Sequence, residues 1–138
     1  MSVVIDSNAL VAFVTNEPVA PKVAELLHGW GSEGTPMNAP ALARYEVANA
    51  LTKKAAAGSI SEDETREAWD VLEELPIVYH ALRDGPSVVQ AALVLERRSA
   101  YDAAYLALAQ DLGAELWTID GPLARNARTR GRRVHLIE

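Results

Sequence analysis

Five short apolar runs constrain this chain more than any other feature: Val3-Val4-Ile5, Met37 to Ala39, Ile77 to Tyr79, Leu116 to Ile119 and Val134 to Ile137. Nearly continuous apolar runs of this length suit strands buried on both faces. Between them lie stretches with helical spacing of apolar residues, expected over Ser7 to Thr15, Ala20 to Trp30, Leu42 to Ala57, Glu62 to Leu75, Pro86 to Arg97, Tyr101 to Leu112 and Pro122 to Arg130. Gly58, Gly113 and Gly131 stand where three of these helices should stop, and Ser61 with Glu64 forms a capping box. Short strands alternating with helices predict an α/β fold around a mostly parallel sheet. No repeat or linker interrupts the pattern, so residues 1–138 are expected to form a single domain.

The chain has no cysteine, which rules out disulfides and thiolate metal sites and fits a cytoplasmic location. No apolar run reaches transmembrane length, and no membrane partner is expected. The formal net charge of −6 argues at first against a nucleic-acid partner. Its distribution changes that. Residues 62–74 hold seven of the 19 acids and one of the 13 bases, so the rest of the chain is neutral. Bases cluster at Lys53-Lys54, at Arg97-Arg98, and at Arg125, Arg128, Arg130, Arg132 and Arg133. Charge therefore permits a nucleic-acid partner without demanding one.

Four acids draw attention. Asp6 follows the first apolar run and opens a helix, and Asp120 does the same after the fourth. Singly, each reads as a helix cap, because aspartate is a preferred N-cap. Ser99 and Asp102 have capping-box spacing, which gives Asp102 the same explanation. Glu46 is harder to dismiss, since helical spacing puts it on a face with Leu42, Ala43 and Ala50, with Asn49 one turn on. An acid in an apolar stripe must be paired, protonated or bound to a cation. In an open parallel sheet, ligands bind beyond the carboxyl ends of the strands, where Asp6 and Asp120 both fall. Carboxylates meeting there repel one another unless a cation sits between them. With no thiolate available, that ion would be Mg²⁺ or Mn²⁺. His28, His80 and His135 lack ligand spacing and read as structural or surface residues.

Four ordered blocks carry a resemblance: the strand running into Asp6-Ser7-Asn8, the helical stretch Arg44-Tyr45-Glu46-Val47-Ala48-Asn49-Ala50-Leu51, the run Tyr101-Asp102-Ala103-Ala104-Tyr105-Leu106-Ala107-Leu108-Ala109, and Leu116-Trp117-Thr118-Ile119-Asp120. Together they resemble the PIN-domain ribonucleases, specifically the VapC-type toxins of bacterial toxin–antitoxin pairs. The resemblance spans nearly the whole chain. It implies a three-layer α/β/α sandwich and a Mg²⁺- or Mn²⁺-dependent endoribonuclease, with Asp6, Glu46 and Asp102 as core carboxylates. Asp120 corresponds to a more variable fourth acid, and Asn8 and Thr118 to polar residues that support the site. Asn126, one turn into the last helix, is the remaining supporting candidate. The resemblance also implies products with a 5′-phosphate and a 3′-hydroxyl, a homodimer, and a VapB-like antitoxin as protein partner.

Lys53, Lys54, Arg125 and Arg128 are candidate clamps for the RNA backbone, because phosphate contacts position RNA without reading its sequence. Two rival readings are weaker. A haloacid-dehalogenase-type phosphatase would want a second aspartate where Asn8 stands and a late lysine, yet the last lysine is Lys54. A PIN-like module that binds RNA or a partner without cutting would have no need of four intact acids.

Overall fold

The computed structural model describes residues 1–96 and 99–138; the Arg97-Arg98 pair and the expected end of a helix at Arg97 lie outside them. The strands are β1 (Val3–Ile5), β2 (Met37–Pro40), β3 (Ile77–His80), β4 (Glu115–Thr118) and β5 (Val134–Leu136). The helices are α1 (Ser7–Val14), α2 (Ala20–Glu33), α3 (Leu42–Ala56), α4 (Glu62–Glu74), α5 (Gly85–Val94), α6 (Tyr101–Leu112) and α7 (Gly121–Arg128). All five strands join one sheet in the order β3-β2-β1-β4-β5, and every neighbouring pair is parallel.

That order explains the composition of β1. It is central, so Val3, Val4 and Ile5 are buried on both faces, and each buried aliphatic side chain contributes about 2 kcal/mol. Helix α1 packs on α2, α3 and α4, whereas α6 packs on β1, β2, β4 and α5. The chain progresses outward from β1 to β3, then crosses back to β4. Right-handed crossovers in opposite directions place their helices on opposite faces, which makes the three-layer α/β/α sandwich. The place where the order reverses, between β1 and β4, is the switch point where such sheets bind ligands.

Several boundaries differ from the sequence expectation. Helix α2 runs past Trp30 to Glu33, because Gly31 is tolerated inside it and the left-handed cap falls at Gly34, φ 69°. Helix α7 spans Gly121–Arg128 rather than reaching Arg130, and α5 ends at Val94, ahead of Glu96 at φ 56°. The capping box of Ser61 and Glu64 is complete. The one expected from Ser99 and Asp102 is not formed: Ala100 is the N-cap of α6, and Ser99 Oγ accepts from the Tyr101 amide instead. Asp102 sits in the first turn of α6.

On α3 the buried stripe is Ala43, Val47 and Leu51, with Glu46 half-buried at its margin and Asn49 exposed. The four-residue spacing of small and branched residues decides which face turns inward. Of the apolar residues on α4, Ala68 and Leu72 are buried, in the layer shared with α1 and α3. Among the described residues, no helix is long and apolar enough to cross a membrane.

Candidate active site

Asp6 occupies the N-cap position of α1, in extended backbone geometry, but its side chain makes no capping hydrogen bond. It is only 5% exposed. The carboxylate turns instead toward the adjacent strand, where Thr118 Oγ1 donates to Asp6 Oδ2 at 2.8 Å. The Asp6 side chain thus reaches across to β4 rather than making the N-cap hydrogen bond of α1.

Thr118 is the hub of this end of the sheet. Its oxygen accepts from Asn8 Nδ2 at 3.2 Å and from the Asp120 amide at 3.0 Å. A hydroxyl has one hydrogen and two lone pairs, so two incoming donors leave its hydrogen for Asp6. Asn8 is held in turn by Oδ1, which accepts from the Ile119 amide at 3.3 Å. The pairing of β1 with β4, Ile5 opposite Trp117, puts these groups side by side.

Glu46 arrives from α3. Its Oε1 accepts from Tyr105 Oη at 2.5 Å and from Ser7 Oγ at 3.2 Å. Burial, and then the bond to Glu46, hold the Tyr105 hydroxyl well above its ordinary pKa, so it remains a donor. Neither Ser7 nor Tyr105 is among the residues expected at the site from the sequence. The signal for Tyr105 was its position three residues after Asp102, on the same side of α6. Ser7 gave no signal beyond its place beside Asp6.

The acids interact electrostatically. The Asp6 pKa is pushed up to about 7, chiefly by desolvation and further by the charges of Asp102 and Glu46. The Thr118 hydrogen bond and the Asn8 amide pull it down without cancelling that rise. Asp120 stands apart: its Oδ1 accepts from the Leu123 amide at 3.0 Å and caps α7. For Asp120, the capping reading is what the side chain does, while its backbone amide joins the Thr118 network. Among the described residues, no three acidic or histidine side chains stand close enough to form a ready-made metal cage.

Asn126 Nδ2 donates to the Leu95 carbonyl at 2.9 Å, tying α7 to the end of α5. Arg128 Nε donates to the Val134 carbonyl at 2.8 Å. Arg125 is exposed, with its guanidinium packed over Gly121. Lys53 and Lys54 occupy the last turn of α3, where cations complement the helix dipole. They lie about 10 Å of helix beyond Glu46. His80 is bonded to Asn38, and His135 pairs with Glu115 while stacking on Trp117.

A PIN-domain family model matches residues 3–128. The chain belongs to the PIN-domain family. It is similar to the ribonuclease VapC3 of Pyrobaculum aerophilum, with 35% identity over 129 residues that cover 90% of this chain and 93% of the relative. Two solved structures share the fold. One is PAE2754 from Pyrobaculum aerophilum, with a TM-score of 0.69 and 23% identity over 91% of this chain and 79% of that one. The other is VapBC2 from Rickettsia felis, bound to a DNA fragment from their promoter, with a TM-score of 0.75 and 12% identity over the full length of both chains. For this PIN domain, the buried aspartate at the β1–β4 switch point is the feature that a functional reading must explain.

Proposed function

We propose that this PIN domain is a metal-dependent endoribonuclease acting as the toxin of a type II toxin–antitoxin pair. The observation that carries the reading is Asp6: a buried carboxylate at the switch point, held by Thr118 and exposed to the charges of Glu46 and Asp102. A fold built only for binding has no reason to bury an acid where two others repel it. The similarity to a curated VapC ribonuclease supports the activity, and the fold shared with a VapB–VapC complex supports an antitoxin partner.

The donor set suits a hard divalent cation. Its oxygens are carboxylates, the chain has no thiolate, and Asp6 is buried within reach of the charges of Glu46 and Asp102. Mg²⁺ or Mn²⁺ would be held partly through water, since Mg²⁺ dehydrates reluctantly. Asp6, Glu46 and Asp102 would hold it, with Asp120 assisting. When bound, the ion lowers the pKa of the attacking water and neutralises charge on the phosphodiester.

The protein's own residues do the positioning. Thr118 holds Asp6 Oδ2 and so fixes the orientation of the carboxylate. Tyr105 and Ser7 fix the rotamer of Glu46. Leu82, Val89, Leu93 and Tyr101 are each more than half exposed, apolar area that a second copy in a homodimer would cover.

The test is incubation of the purified chain with end-labelled structured RNAs and Mg²⁺ or Mn²⁺, against EDTA and an Asp6→Asn control. Cleavage confined to the metal-loaded wild type is expected. Cleavage that persists in EDTA or in Asp6→Asn overturns the metal-dependent reading.

A further inference from the structure

At the opposite edge of the sheet from the acids, the end of α6 and the turn leading into β5 enclose a cleft of about 390 Å³. Arg130, Arg132 and Arg133 all line it. Each is anchored by a neutral acceptor. Arg133 donates to the Gly113 carbonyl at 3.1 Å, Arg132 to the Gln110 side chain, and Arg130 to the Val94 carbonyl at 2.7 Å and to the Asn126 side chain. Among the described residues, none of the three makes an ion pair, in a chain with 19 acids.

Three guanidiniums share one cleft, their orientations fixed by groups that cancel none of their charge. Each keeps N–H donors to spare, because a guanidinium carries five. Planar forks with unused donors match the paired oxygens of a phosphodiester.

Helix α7 connects the cleft to the acids. It starts at Asp120 on the carboxyl edge and ends at Arg128, just before Arg130 on the amino edge. Arg125 and Arg128 are three residues apart on its exposed side, while Leu123, Ala124 and Ala127 face inward. From Asp120 to the level of Arg133 is roughly 15 Å at strand rise. On the order of five phosphates span that distance at duplex-like spacing.

We propose that the Arg130–Arg132–Arg133 cleft is a remote phosphate-binding site for the RNA backbone, reached along α7 from the acids. The proposal rests on the ribonuclease reading for the identity of its ligand. It adds a length requirement: RNA too short to reach the cleft is held only near the acids.

Fluorescence anisotropy in EDTA tests this without requiring cleavage. Labelled oligouridines of about 20 and about 4 nucleotides serve as probes, on either side of the estimated span. The triple variant Arg130→Ala/Arg132→Ala/Arg133→Ala is expected to bind the long probe on the order of tenfold more weakly. The slope of log affinity against log salt should fall in magnitude by about 2, and short-probe binding should stay as in the wild type. Because Arg133 and Arg130 also anchor backbone carbonyls, Arg→Lys at the same three positions keeps the charge as a second arm. It should retain most of the salt slope.

Equal loss in an Arg66→Ala control, or an unchanged long-probe affinity and slope in a folded triple variant, overturns the cleft. The latter result would leave the arginines to an acidic protein segment. If the cleft binds RNA that is never cut, the ribonuclease reading falls while the cleft stands. If RNA is cut but binding ignores the arginines, the reverse holds.

Discussion

Thr118 Oγ1 donates to Asp6 Oδ2 across 2.8 Å, joining two residues 112 positions apart in the chain. Both are buried, and the bond ties the end of β4 to the residue that follows β1. The polarity of the threonine hydroxyl is set from behind, by the Asn8 side chain and the Asp120 amide. One hydroxyl thus orients an acid and satisfies a backbone group.

Thr118→Val keeps the shape and removes the hydroxyl. Three polar groups lose a partner, so a stability loss of about 1–3 kcal/mol is expected in urea melts. RNA cleavage per folded molecule should fall as Asp6 loses its orientation. Thr118→Ser, which keeps the oxygen, should retain most of both; equal damage from serine would mean the methyl group matters more than the hydrogen bond.

Asp6 predicts a pH dependence with a definite sign. Its folded pKa of about 7 lies above its ordinary 3.8, so folding favours the protonated carboxyl. This group's contribution to stability is therefore full below pH 4, declines as pH rises from about 4 to about 7, and is flat above. The total is on the order of 4 kcal/mol. In EDTA, Asp6→Asn should flatten the melting temperature over that window and exceed the wild type at pH 8. Mg²⁺ should raise the wild-type melting temperature at pH 8 and raise the variant's much less. Equal metal-induced shifts in the two proteins would remove Asp6 from the ligand set.

Tyr105→Phe removes the donor to Glu46 while leaving the ring in the core. A cost of about 1 kcal/mol in stability is expected. If Tyr105 positions Glu46, kcat for RNA cleavage should fall with little change in KM. An unaltered kcat would make the bond purely structural.

Asn126 separates a fold role from a site role. Its bond to the Leu95 carbonyl predicts that Asn126→Ala lowers stability by about 1 kcal/mol and leaves cleavage per folded molecule unchanged. A large drop in turnover at undiminished stability would return Asn126 to the active site.

The amino-acid sequence by itself determined the class of fold and the strand edge on which Asp6 and Asp120 fall. Apolar strands and helical periods are local properties, and Asp6 and Asp120 each follow a strand whatever their neighbours are. The resemblance carried by four ordered blocks added Glu46 and Asp102. What the sequence did not contain was how each acid is used. Asp6 and Asp120 have the same local pattern, yet Asp120 caps its helix while Asp6 turns away to Thr118. The difference arises because the order β3-β2-β1-β4-β5 places Thr118 beside Asp6, and a buried carboxylate goes to the donor that tertiary packing presents. The bonds of Ser7 and Tyr105 to Glu46 were hidden for the same reason, since they depend on α3 and α6 converging on the start of α1. The arginines behaved likewise: their clustering was plain in the chain, but only the fold put three of them in one cleft at the far edge of the sheet.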